Sequence, residues 1–492
     1  MKKMSFLLAI VLLLSFCLGG CSQPQPNPKL DDLNLLCETL ETEHYDLYAN
    51  VSEEEFQDER EKIARQTPNM TDAEFYWSVR HLLSLVGDAH TTAYPSDYFM
   101  SVLPWNIKKF DEGWFILILD KAHEQYLGTR VIAINGVPID EAVERARQVI
   151  SYETDSWFWN LVPQTLAWRG ALEYLEIVKE GEPVTVTVEM QDGAEQSFEL
   201  TATDDWDERS QMVSFQPEAV PETGYQNNYY WSTELDEDTY FIQYNVCAGG
   251  DPSMPEFAQQ VQADLESGYQ NIIFDLRYNN GGNDQIILPL KNAVVNARYK
   301  QGEKCHLYVL TGWNTFSAGV DAAAGFQTSN AENTTFVGQP TGGSLQTGGN
   351  LLEISMDSVP FAVTCALDYF EILGQKGSLV PDYIVPQTFE QYAEYVLGLK
   401  EQRGDAHKTI VDYRNMTERI YPELGHIKLR DLQAHHLNEF YGKLMQPGQN
   451  KRTGGGLSAK SVLRYHRFIS IVLAQAVKEG LVPFNAASRA EP

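Results

Sequence analysis

From residue 240 onward, short apolar runs alternate with segments of helical period, and few folds accommodate that alternation. Residues 240–246, 271–276 and 306–311 read as strands, and residues 255–267, 284–297 and 317–326 as helices. Elements taking turns in this way bury their apolar faces by layering helices on a sheet, so the expected class for this segment is α/β. Residues 351–356 and 361–367 add two further strand candidates. Upstream, residues 30–87 carry helical spacing (Leu35, Leu40, Leu47, then Phe75, Val79, Leu82, Val86) around a Pro-Asn-Met-Thr-Asp turn, which predicts a helical cap. Residues 105–203 read as short strands and turns, with one helix-like stretch over 139–150.

Two junctions in the α/β segment can carry chemistry. Ser317 stands where the strand ending at Thr311 passes into a helix of small residues, Ala318-Gly319 and Ala322-Ala323-Ala324-Gly325. A hydroxyl there lies beside unpaired backbone amides that favour developing negative charge, although a serine at a helix start is commonly only an N-cap. The loop Asp275-Leu276-Arg277-Tyr278-Asn279-Asn280-Gly281-Gly282-Asn283 leaves a strand and enters a helix. Its paired glycines let the backbone turn amides toward a bound oxygen. By itself the loop fits an oxyanion hole, a phosphate cradle or a plain turn, and it lacks the Gly-Lys-Ser/Thr ending of a nucleotide-binding loop.

Taken together, the motifs resemble the tail-specific (C-terminal processing) serine peptidases. Asp275-Leu276-Arg277 with Asn279 and Gly281-Gly282, Gly87-Asp88-Ala89-His90-Thr91, Thr315-Phe316-Ser317-Ala318-Gly319, Gly338-Gln339-Pro340-Thr341-Gly342-Gly343 and Val380-Pro381-Asp382 occur in that family's order over residues 75–385. The resemblance implies a crotonase-like α/β core with an inserted PDZ-like domain, here in degenerate form. It also implies a polypeptide substrate, Ser317 as nucleophile, and Gly281, Gly282 and Ala318 as oxyanion donors. Neither a cofactor nor a metal is expected. In many members a lysine is the base, but Ser344 occupies that frame and no lysine lies between Lys304 and Lys376. His90 is therefore the expected base, as in the tricorn-like branch, since an imidazole titrates near neutrality. That branch also carries a glutamate to orient the histidine. Gln375 stands at its position, with Glu371 as a nearby substitute, while Asp88 reads as a turn residue.

The chain begins with Lys2-Lys3, an apolar run over 6–14 and Leu18-Gly19-Gly20-Cys21, followed by a Pro-rich linker. This resembles a bacterial lipoprotein signal, implying lipid on Cys21 and an extracytoplasmic, membrane-anchored protein. Cys37, Cys247, Cys305 and Cys365 fit no metal spacing and read as buried thiols. The net charge of −31 argues against nucleic acid as the main partner, yet residues 386–492 hold 15 basic against 11 acidic residues and differ in kind.

That last segment has helical period throughout. Residues 388–395, 424–429 and 457–462 resemble the core-binding, SAM-like domain of phage-type tyrosine recombinases (integrases), implying residual DNA binding through Lys460, Arg464 and Arg467 on one helical face. The expected organisation is a signal peptide over 1–20, a linker over 21–29, the cap over 30–92, the PDZ-like insert over 93–205, the peptidase core over 206–385 and an all-α domain over 386–492. The leading function is a lipid-anchored serine endopeptidase. The rivals are an inactive peptide-binding lipoprotein of the same fold and an integrase-derived DNA-binding fusion.

Overall fold

The computed structural model describes residues 27–95, 101–110, 112–204, 212–215, 224, 226–301, 305–329, 333–385, 388–402, 407–429, 431–450, 453–478, 482 and 484–491. The lipidation candidate Cys21 and the rest of the leader lie outside the described residues.

The first three helices are Pro28–Glu43, Glu53–Gln66 and Asp72–Val86. The third is closed at its start by a capping box between Thr71 and Glu74 and at its end by Gly87 in the left-handed region, φ 67°. That left-handed turn sends the chain through Asp88-Ala89-His90 into β1 (Thr92–Pro95). β1 pairs with β15 (Phe361–Glu371), which pairs with β14 (Gln346–Ser355), forming a three-stranded antiparallel ribbon.

Strands β2 (Trp105–Phe110), β3 (Gly113–Asp120), β4 (Arg130–Ile134), β6 (Val184–Glu189) and β7 (Glu195–Leu200) form a second, antiparallel sheet, with β5 (Val137–Pro138) and β8 (Met212–Ser214) at its sides. The alternation Val184, Val186, Val188 buries one face of β6, as its period of two requires. Within this region the chain also forms helices at Asp155–Ala167 and Arg169–Tyr174, where the sequence pattern had pointed to strands and turns. Their aromatic-rich sequence hides the helical period. Thr154 nonetheless caps the first of them through the Trp157 amide.

The third sheet runs β16 (Tyr383–Ile384), β13 (Thr334–Gly338), β12 (His306–Thr311), β11 (Asn271–Asp275), β10 (Thr239–Tyr244) and β9 (Tyr230–Asp236). It is parallel from β10 to β16, with β9 antiparallel at the edge. Helices Met254–Leu265, Leu288–Gln301 and Ala318–Ser329 connect its strands. The Ala-rich face of Ala318–Ser329 brings that helix close to the sheet, with Ala323 and Phe326 in one core with Phe274 and Val309. The helical cap, the antiparallel sheet and the ribbon share a different core, which includes Leu36, Phe75, Trp105, Val186 and Val363. Helices Phe389–Gln402, His407–Ile420, Ala434–Leu444 and Ala459–Lys478 enclose a third, around Phe389, Tyr392, Phe440 and Phe468. Among the described residues no helix is long and apolar enough to cross a membrane. Cys37, Cys247, Cys305 and Cys365 are buried and free.

Candidate active site

Ser317 lies just outside the helix it was expected to begin, because the first helical residue is Ala318. Its φ is +52°, whereas an N-cap residue adopts extended backbone, and a non-glycine residue held in the left-handed region stores strain. The strain is imposed from both sides. Phe316 donates its amide to the Asn279 carbonyl, and Thr315 Oγ1 donates to the Leu276 carbonyl, which ties the serine turn to the loop after β11. On the facing side, a Cβ added to Gly281 would stand 2.6 Å from the Ser317 Cβ, and one added to Gly343 would stand 3.0 Å from the Ser317 amide. Only glycine lets these two loops close on the serine.

The glycine loop does not supply amides as the sequence implied. The Gly281 amide donates to Asn279 Oδ1 at 3.0 Å, so it is already satisfied and is removed from the oxyanion candidates. Cys247 donates its amide to the Gly281 carbonyl and accepts from Asn283, holding Gly282 between them. Among the described residues, the amides of Gly282 and Ala318 have no internal acceptor, and these two remain able to receive an oxygen.

His90 reaches the same place from the other end of the chain. Its ring stacks on Phe316, the residue before Ser317, at a centroid separation of 4.6 Å. Phe316 stacks in turn on Trp157 at 3.9 Å. The imidazole is buried, and its Nε2 has no partner among the described residues, so Ser317 and His90 are not hydrogen-bonded to one another here. Burial lowers the imidazole pKa below its ordinary value, and the neighbouring Asp88 carboxylate partly opposes this. The ring is therefore neutral at physiological pH, the state a base needs.

The groups around His90 Nδ1 are not those the sequence indicated. Gln375 is exposed in the turn after β15, and Glu371 is exposed on β15, accepting from Gln346 Nε2 across the strand pair at 3.1 Å. Neither meets His90, because the antiparallel pairing of β14 with β15 carries both to the rim of the ribbon. In their place, Thr347 Oγ1 on β14 lies 3.1 Å from Nδ1 and donates to the Glu153 carboxylate at 2.9 Å. Asp88 Oδ1 is 4.0 Å from Nδ1. Asp88 is more than a turn residue, since its carboxylate accepts from the His90 amide, Thr91 Oγ1 and His44 Nε2. Burial raises its pKa, but the bonds from His44 and Thr91 outweigh that and hold it below the ordinary carboxylate range. Glu153 is half-buried with its carboxyl turned onto Thr347. Burial and the adjacent Asp88 carboxylate push its pKa up to about 8.

Glu153 and Thr347 were not legible in the sequence. Both lie in stretches without a motif, and β14 begins at Gln346 rather than 351, so Thr347 was not expected on a strand. Asp88, His90 and Glu153 each bring one donor atom within 4.8 Å of the others, a set that could hold a metal ion. The Thr347 hydroxyl already links two of the three without one. Ser344, in the frame of the absent lysine, accepts from the Gln346 amide. Lys460, Arg464 and Arg467 are exposed on helix Ala459–Lys478, with Arg464 paired to Asp412 at 3.4 Å.

Residues 99–220 match a family model described as a PDZ domain. Comparison with curated proteins gives no match. Among solved structures, the chain is similar to mature CPAF complexed with lactacystin, at 12% identity and a TM-score of 0.52 over 76% of this chain and 98% of that one. It is similar also to mature CPAF, at 13% identity and a TM-score of 0.50 over 77% of this chain and 98% of that one. The photosystem II D1 C-terminal processing protease matches at 12% identity and a TM-score of 0.36, over 73% and 93% of the two chains. The chain thus has a PDZ-containing mixed α/β fold. The particular arrangement is similar to that of CPAF, and the likeness at this identity is one of fold.

Proposed function

We propose that this chain is a serine endopeptidase of the tail-specific type, built on a crotonase-like core and acting on polypeptides. The observation that carries the reading is the convergence at Ser317. A serine strained at φ +52° meets two unpaired amides, and the residue before it is covered by a buried imidazole with a free Nε2. Ser317 Oγ would attack the scissile carbonyl while His90 Nε2 takes its proton. The amides of Gly282 and Ala318 would hold the oxyanion, His90 would return the proton to the leaving amine, and water would then release the acyl group. In the resting state Nε2 and Oγ are unbonded, and such contacts commonly tighten only when substrate binds.

The same unbonded state favours a second reading, a catalytically silent peptide-binding protein of this fold. A fluorophosphonate probe separates the two. The peptidase is labelled at Ser317 and cleaves an unfolded polypeptide, and Ser317→Ala and His90→Ala lose both properties while remaining folded. A folded parent that neither labels nor cleaves is the silent protein. The leader through Cys21 supports lipid anchoring outside the cytoplasm. The exposed Lys460, Arg464 and Arg467 support residual DNA binding by the integrase-like segment, which steepening salt dependence of duplex affinity would reveal.

A further inference from the structure

The proposed acyl transfer leaves one question open in this chain: what holds His90 in the tautomer that frees Nε2. In an acid-deprived serine–histidine pair the ring is indifferent between its two neutral forms, and only one of them is a base toward the serine. Gln375 and Glu371 are exposed and turned elsewhere. The contact to Nδ1 is the Thr347 hydroxyl, and that hydroxyl has two Glu153 oxygens within 3.2 Å and 2.9 Å. A hydroxyl that donates to a carboxylate has its lone pairs left for Nδ1, so the chain His90 Nδ1–H to Thr347 Oγ1–H to Glu153 runs in one direction.

The residue that closes this chain comes from an unexpected part of the molecule. Glu153 lies within the PDZ-matching residues, just ahead of helix Asp155–Ala167. That stretch is fastened to the site by three contacts: Thr154 Oγ1 donates to the Gly342 carbonyl at 2.5 Å, Trp157 stacks on Phe316, and Asn160 Nδ2 donates to Asn314 Oδ1 at 3.2 Å. Its carboxyl is therefore held as firmly as the loops it serves.

Resting on the serine peptidase reading, we propose that Glu153 is the positioning residue for His90, acting through the Thr347 hydroxyl from the inserted domain in place of an acid on the core. Ionised, Glu153 accepts from Thr347, and Nδ1 keeps the ring proton. Protonated, it can donate to Thr347, which then donates to Nδ1, so the proton moves to Nε2 and the base is lost. No bond to carbon forms or breaks in this step: Nε2 takes a proton from solvent, the Nδ1 proton passes to Thr347 Oγ1 and the Thr347 hydroxyl proton passes to Glu153, so the net change is one proton taken up. The groups facing Glu153 are Asp88 and His90 from the loop before β1 and Tyr45 just after the first helix, with His44 bonded to Asp88. Burial first, and then Asp88, held ionised by its bonds from His44 and Thr91, keep the Glu153 proton on.

The test uses the full chain. Cleavage of an unfolded polypeptide by the parent should rise as pH passes about 8, where Glu153 ionises. Glu153→Gln should lose that rising limb and fall on the order of 100-fold in kcat at high pH with little change in KM, the scale of lost general-base assistance. Thr347→Val cuts the relay at its middle while leaving the Glu153 charge, and should show the same loss; it decides the matter if Glu153→Gln fails to fold. Independently of activity, ¹⁵N-histidine spectra of the Ser317→Ala chain should place the His90 proton on Nδ1 above pH 8, and moving it to Nε2 should follow Glu153→Gln. If both variants keep the parent's rate and pH profile, the inference is overturned and the peptidase reading stands. If the parent never labels or cleaves, that reading falls, while an Nδ1 proton that depends on Glu153 would still uphold the relay and one that does not would overturn it.

Discussion

Ser317 illustrates how much one backbone angle can say. A serine that merely capped the helix would sit in extended backbone with its hydroxyl bonded to an amide two or three residues on, whereas this one is at φ +52°. A left-handed conformation costs a residue with a Cβ about 1 to 2 kcal/mol relative to glycine. Ser317→Gly should therefore be more stable than Ser317→Ala by about 1 kcal/mol, although both lack the proposed nucleophile. Urea denaturation of the two variants measures the difference. Equal midpoints would mean that the turn is unstrained. At this same scale His90, lowered by burial, and Glu153, raised by burial and by Asp88, set opposite limits. As pH rises the imidazole becomes neutral first and the carboxyl ionises later, so under the proposed mechanism the rising limb of the rate would belong to Glu153.

At the scale of elements, the site is a meeting of three pieces drawn from two cores. The turn after β12 belongs to the parallel sheet, the loop before β1 to the helical cap, and helix Asp155–Ala167 to the inserted region. The stack of His90, Phe316 and Trp157 joins all three. Trp157→Ala would leave the cores intact but remove the wedge between inserted helix and serine turn. It is expected to slow fluorophosphonate labelling at Ser317 by about tenfold, with a change in melting temperature of only a few degrees, about 1 kcal/mol of stacking being lost. Labelling at the parent rate would show that the helix contributes nothing to the site's geometry.

For the whole molecule, helices from Phe389 to Lys478 enclose a core that includes no residue of the other two. The Lys428–Glu112 ion pair at 3.0 Å is one of the links back to the rest. A surface ion pair of this kind contributes about 1 kcal/mol or less. Hydrogen exchange followed by mass spectrometry should thus find the 388–478 helices losing protection as a unit of their own, at denaturant concentrations where Ser317 still labels. A single transition shared with β10–β13 would contradict that independence. The alternating strands and helices were readable in the chain because a period is a local pattern, and Ser317, His90 and the glycine loop could be singled out as candidates because a short motif, or a residue type that a turn demands, is local too. Helices 155–174 were hidden by their own aromatic residues, and Gly281 was misjudged because Asn279, two residues away, takes its amide. Glu153 and Thr347 carry no local signature, and they meet His90 from 63 and 257 positions away in sequence only once the ribbon has paired and the inserted helix has docked. The sequence by itself determined which side chains were available and which turns could hold them. Only the tertiary structure decided which carboxyl faces the imidazole, because burial and hydrogen bonding act through space and leave no trace in spacing along the chain.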